Sequence, residues 1–228
     1  MITVVCFDFL PDYPIQISEF YSKEDEMKLI FAMQCIPGKY ENIAKALLHS
    51  IDNGDYFGIK LYHDDGVGES YTKCYIKDLG FQLQVQDTFD IEVIIEGNFE
   101  DTCDPLLFSS DDPVPRVVIS PDCKIDIVST TGVRLPRSIY KTEFHRKYKQ
   151  SAMTGSISAY NKTLNQEGPT FLESTEAEIA FSIRFGFKIS DFYEDLLFID
   201  NTNLKLTHRE IKNGLDRVEV SFEAINYV

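Results

Sequence analysis

A chain of 228 residues with 43% apolar content can bury one large core, or two of about 110 residues each, a size at which halves are viable but marginal alone. Its hydrophobic runs stay short of the ~18 residues needed to span a bilayer, and a formal net charge of −15 argues against specific nucleic-acid binding, which needs clustered cations. The charge is placed unevenly: residues 1–112 hold 22 Asp and Glu against 7 Lys and Arg, whereas residues 113–228 hold 15 of each. Solubility is the simplest use of an acidic surface, but such asymmetry leads us to expect that the halves face different surroundings.

The segment Ile2-Thr3-Val4-Val5-Cys6-Phe7-Asp8 has no basic leader and meets an acid early, so it reads as a first strand and points to a cytoplasmic start. A turn at Leu10-Pro11-Asp12-Tyr13-Pro14 and a short strand at 15–17 follow. Met27, Leu29, Phe31, Met33 and Cys35 then alternate with Lys28, Ile30, Ala32 and Gln34, the period of a strand with one buried face. Pro37-Gly38 breaks it, and Tyr40, Ile43, Ala44, Leu47, Leu48 and Ile51 form one apolar stripe of a helix that Asn53-Gly54 closes. Residues 57–62 and 71–76 read as a hairpin turned by His63-Asp64-Asp65-Gly66-Val67-Gly68. Gly66-Val67-Gly68 is no phosphate loop, since no helix pattern follows and two aspartates precede it. A strand at 89–95 completes this half.

Residues 100–115 combine three prolines with five acids, the composition of a boundary. We therefore expect a first module at 1–105, a linker at 106–115 and a second module at 116–228. The second half opens with strands at 117–119 and 125–128 and continues with one at 153–160 and a loop at 164–169. Ala177, Ile179, Phe181, Ile183, Phe185 and Phe187 then alternate, and Ser190 is placed to cap a short helix carrying Phe192, Tyr193, Leu196 and Leu197. Strands at 204–211 and 218–225 end the chain. The order strand, helix, strand, strand thus occurs twice, with Asp90-Ile91-Glu92-Val93 and Arg217-Val218-Glu219-Val220 in the same place. This predicts an internal duplication that aligns Phe31 with Phe181 and Leu47 with Leu197.

One basic cluster stands out. Arg134, Arg137, Lys141, Arg146, Lys147 and Lys149 lie within sixteen residues, Glu143 is the only acid among them, and Ile139, Tyr140, Phe144 and Tyr148 are interleaved. A solvated loop or hairpin is the plain reading, and a nucleic-acid site would need more cations than this. The functional reading is an arm that docks on an acidic surface of a neighbouring copy. It makes Arg134, Arg137, Lys141, Phe144, Arg146, Lys147, Tyr148 and Lys149 the candidate inter-subunit contacts.

Motifs of catalysis are missing from the sequence. The five cysteines (Cys6, Cys35, Cys74, Cys103, Cys123) are odd in number and lack a C-x-x-C pair, so buried thiols are expected, and neither a disulfide framework nor a zinc ribbon. His49, His63, His145 and His208 have no metal-ligand spacing. No G-x-S-x-G, P-loop, H-E-x-x-H or dinucleotide fingerprint occurs, and no catalytic carboxylate pair can be singled out. The expectation is a non-enzyme with no catalytic, metal or cofactor site.

The C-terminal stretch Leu204-Lys205-Leu206, a turn region to Gly214, and Val218-Glu219-Val220-Ser221-Phe222-Glu223-Ala224-Ile225-Asn226-Tyr227 resembles the ending of bacteriophage tail-tube proteins, and residues 75–97 look like the same ending in the first half. The resemblance implies an α+β, mainly β chain of two tandem tail-tube-like β-barrel or sandwich modules, each with one flanking helix. It implies a structural virion protein of a phage tail, as tail tube, tube initiator or baseplate hub. Such a protein forms a homo-oligomeric ring, a trimer with pseudo-sixfold symmetry or a hexamer, with other tail or baseplate proteins as partners. DNA only passes through the lumen, no membrane is involved, and the protein is assembled in the host cytoplasm before residing in the virion. An acidic lumen would let DNA slide by like-charge repulsion. Residues 1–105 leave little room for the long inter-ring loop of a tube module, whereas residues 133–160 leave plenty. The alternative is a cytoplasmic acidic β-rich binding module such as an inhibitor or immunity protein.

Overall fold

The computed structural model describes residues 2–10, 14–32, 43–65, 67–84, 89–103, 124–129, 139–161, 172–173, 180–189 and 192–225. The chain forms two compact units that interleave in sequence. The first comprises residues 1–80, 90–118 and 147–149; the second comprises 81–89, 119–146 and 150–228. The predicted modules are contiguous, these units are not, and the expected linker at 106–115 and strand at 117–119 lie outside the described residues.

The first unit is built on strands β1 (Ile2–Phe7), β2 (Ile15–Gln16), β3 (Glu19–Lys23), β4 (Glu26–Ala32) and β5 (Phe57–His63), with most of β6 (Gly68–Gln84) and β7 (Phe89–Cys103) and the helix α1 (Ile43–Asn53). The strands run in the order β2-β1-β5-β6-β7-β4-β3. On β4 the alternation works as expected. Met27, Leu29 and Phe31 are buried and stand opposite buried Ile95, Val93 and Ile91 of β7. Each such side chain contributes roughly 1.5–3 kcal/mol when fully withdrawn from water.

Helix α1 buries Ile43, Ala44, Leu47, Leu48 and Ile51 along one stripe. It ends where Gly54 takes a positive φ of 67° and donates its N–H to the Ser50 carbonyl at 3.1 Å, a closure that glycine adopts without strain. The β5–β6 hairpin pairs Tyr62 with Gly68, and its turn is tied by the Val67 N–H donating to the Asp65 carboxylate at 3.0 Å.

The second unit holds two antiparallel sheets. One has the order β13-β14-β10-β9, from β9 (Ile139–Lys147), β10 (Met153–Tyr160), β13 (Lys205–Lys212) and β14 (Leu215–Ala224). The other has the order β12-β11-β8, from β8 (Lys124–Ser129), β11 (Ala180–Ile189) and β12 (Phe192–Asn203). Phe181 and Ile183 of β11 are buried, as is Ile199 of β12, and the Thr202 hydroxyl ties the end of β12 to the Glu223 carbonyl of β14 at 3.0 Å.

This unit corrects the sequence reading at one point. Where the sequence predicts a helix carrying Phe192, Tyr193, Leu196 and Leu197 there is a strand, β12, which pairs with β11 from Ile189 opposite Phe192 to Ala180 opposite Asn203. A two-turn helix is marginal by itself, and pairing along the whole of β11 satisfies the backbone while aromatic residues favour the extended form. The order strand, helix, strand, strand therefore does not recur, and the expected equivalence of Leu47 with Leu197 fails. The molecule is α+β and mainly β. Among the described residues its sheets do not close into barrels, and α1 is the one helix longer than a turn.

Candidate interaction surface

The basic segment expected to stand out as an arm is instead largely the strand β9. Along it Ile139, Thr142, Phe144 and Arg146 are buried while Lys141, Glu143 and His145 are half-buried, the two-residue period of a sheet strand. Phe144 has no exposed surface; its ring stacks on Phe81 with centroids 4.8 Å apart, so it is core and not a contact residue. Gly155 stands opposite it on β10, where a side-chain carbon would meet the Phe222 ring and lie 2.7 Å from the Glu143 carbonyl. Arg146 is mostly buried and donates to the Gln150 carbonyl, and Lys141 lies 2.5 Å from Glu143. Arg134 and Arg137 lie outside the described residues.

What this segment offers at the surface is Lys147, Tyr148 and Lys149. The Tyr148 N–H donates to the Lys77 carbonyl at 2.9 Å, which fixes the tyrosine beside β6. Its ring lies 4.7 Å from that of Tyr75, and Tyr75 meets Tyr56 edge-on at 6.0 Å. The Tyr148 ring lies over Gly54, where an added side-chain carbon would stand 3.4 Å from Cε2, in ordinary van der Waals contact. The Lys149 ammonium sits 5.1 Å from the Tyr148 centroid, a cation–π contact. Tyr56 is 66% exposed.

An ionic cluster borders the three tyrosines. Lys77 Nζ lies 2.6 Å from both Glu26 Oε2 and Glu96 Oε1, and the Tyr75 hydroxyl donates to the second Glu96 oxygen. The strand register brings Glu26 opposite Glu96, so Lys77 stands between two like charges. The hydrogen bonds to Glu26 and then Glu96 raise the Lys77 pKa, and those from Lys77 and then Tyr75 lower that of Glu96. The Glu96 carboxylate, with burial second, pushes the Tyr75 hydroxyl up to about 12. Each group is thereby held in its ordinary neutral-pH state, which suits recognition and not proton transfer. Tyr56 is exposed and Tyr75 and Tyr148 are half-buried beside fixed charges, an amphipathic mix of the kind that protein–protein contacts use.

A separate cavity of about 330 Å³ in the first unit is lined by Cys6, Asp8, Gly58, Lys60, Ser70 and Tyr71, among others. Asp8 Oδ2 accepts the Gly58 N–H at 2.5 Å and the Tyr71 hydroxyl donates to Glu69 at 2.8 Å. Burial and then Glu69 push the Tyr71 hydroxyl up to about 12, so at neutral pH it is a hydrogen-bond donor and not a base. Among the described residues no group of three His, Cys, Asp or Glu is placed to hold a metal ion, and no helix is long and apolar enough to cross a membrane.

Sequence reading found Tyr148 and Lys149 through the charge cluster but missed Tyr56, Tyr75, Lys77, Glu26 and Glu96. Glu26, Tyr75, Lys77 and Glu96 meet through the pairing of β4, β6 and β7, and Tyr56 joins them from just before β5. No family model matches the chain, and no curated protein matches it.

Proposed function

We propose that this chain is a structural virion protein of a phage tail, as tail tube, tube initiator or baseplate hub, and acts by assembling into a ring around a DNA-conducting lumen. The observation that carries this reading is the order β4, α1, β5, β6, β7 in the first unit, the strand, helix and closing strands that a tube-like module uses. The final antiparallel pair β13–β14 supports it, while β12, in place of a helix, sets the second unit apart. With two units per chain a trimer reaches pseudo-sixfold symmetry; with one functional module per chain, the ring is a hexamer.

The net charge of −15 keeps passing DNA from adhering. Tyr56, Tyr75, Tyr148 and Lys149 supply a surface for neighbouring copies or other tail and baseplate proteins. The reading assigns no catalytic role. The same tyrosines would equally serve an acidic binding module such as an inhibitor or immunity protein, which stays monomeric until its target arrives. Negative-stain microscopy of the purified chain separates the two. Rings with a central hole are expected, and a field of single small particles at high concentration would remove the tail reading.

A further inference from the structure

Among the described strands, β3 pairs only with β4 and β13 pairs only with β14, so each presents an open edge. Such an edge offers a row of backbone donors and acceptors to any strand that comes alongside. The two edges have complementary character. On β13, Leu206 and Arg209 stand opposite Val220 and Val218 and therefore point to the side on which β14 buries those valines. Ile211 points the same way, yet Ile211 is 69% and Leu206 39% exposed, so the buried side of the sheet runs out uncovered at this edge. On β3, Phe20 stands opposite buried Leu29 and points to the buried side, while Glu19 and Tyr21 point outward.

The charges set the partner. β13 carries Lys205 and Lys212 against Glu210, with Arg209 already paired to Asp216 of β14, whereas β3 and the turn after it carry Glu19, Glu24 and Asp25 against Lys23. Between these two edges, like pairings repel each other and charge favours β3 with β13. We propose that β13 of one molecule adds to β3 of a second copy. Phe20 then covers Leu206 or Ile211 on one side, and Glu19 faces Lys205 or Lys212 on the other. The contact joins unlike surfaces, so it propagates head to tail and closes into a ring or continues as a filament according to its rotation. It needs only a second copy, and holds whether or not the assembly conducts DNA.

The test is charge reversal followed by rescue, read by sedimentation velocity. Lys205→Glu with Lys212→Glu in one variant, and Glu19→Lys with Glu24→Lys in another, alter exposed side chains. Each variant alone should self-associate at least about tenfold more weakly than wild type, and an equimolar mixture of the two should co-assemble. Should a reversed chain lose its far-ultraviolet circular dichroism, Lys205→Gln with Lys212→Gln takes its place, with weakening again expected. A monomeric wild type at high concentration, or variants that associate as the wild type does, would overturn the contact. Rings that ignore charge reversal leave the tail reading standing without this contact, and charge-sensitive association without rings does the opposite.

Discussion

Gly97 and Cys74 share a space that has no room for a side chain on the glycine: an added carbon would run into the Cys74 sulfur and lie 3.2 Å from its Cα. The Gly97 N–H also donates to the Asp25 carbonyl at 3.1 Å, so the backbone there is held and cannot simply withdraw. Gly97→Ala should destabilise the protein by ~1–3 kcal/mol through overpacking. In a Cys74→Ala background the cost should shrink, with a coupling of ~0.5–3 kcal/mol in a double-mutant cycle. Additive effects in chemical denaturation would show that the two residues do not compete for this space.

Phe181 on β11 is 1% exposed. Phe181→Ala should cost ~3–5 kcal/mol from lost burial and the cavity left behind. A shift below about 1 kcal/mol in urea titration would contradict the packing of β11 described above.

Burial, with the Asp8 charge second, pushes the Cys74 thiol from 9.0 up to about 12. A folded pKa above the unfolded one gives a stabilising contribution that is fully present below about pH 9 and is lost as pH rises towards about 12. Tyr75 and Tyr71, both pushed up to about 12, add to the same alkaline loss from about pH 10. The denaturation midpoint should therefore fall above about pH 9, and Tyr75→Phe should flatten part of that fall. At neutral pH a thiol reagent should leave Cys74 unmodified until the protein unfolds. Peptide mapping that finds Cys74 labelled in the native state would place it at the surface.

Arg146 and Lys147 are neighbours with opposite fates, one buried and bonded to the Gln150 carbonyl, the other exposed. Arg146→Glu should cost ~3–5 kcal/mol, because it leaves a buried charge facing a carbonyl oxygen. Lys147→Glu should stay within about 0.5 kcal/mol of wild type. Equal effects in thermal unfolding would mean that β9 does not bury Arg146.

Local patterns were the legible part of this chain. The alternation at Met27, Leu29 and Phe31, the stripe from Ile43 to Ile51 and the Asp65–Val67 turn each depend on residues close in sequence, and each appears in the structure. The segment with Phe192, Tyr193, Leu196 and Leu197 could be read either way, since the same residues suit one side of a short helix or a strand. Its partner β11 decides the matter, and pairing of that kind is not visible from spacing. The charges around Phe144 suggest a surface anchor, whereas the two-residue period of Thr142, Phe144 and Arg146 sets it in the core. The tyrosine and Lys77 cluster depends on the Glu26–Glu96 register, which joins positions far apart in the chain.

Self-assembly is what sets this chain apart from a monomeric binding module, and native mass spectrometry of the purified wild-type chain tests it most directly. The prediction is a discrete trimer or hexamer, weakened by added salt and by reversal of Lys205 and Lys212. A single monomeric species at every concentration, unchanged by salt, would contradict it.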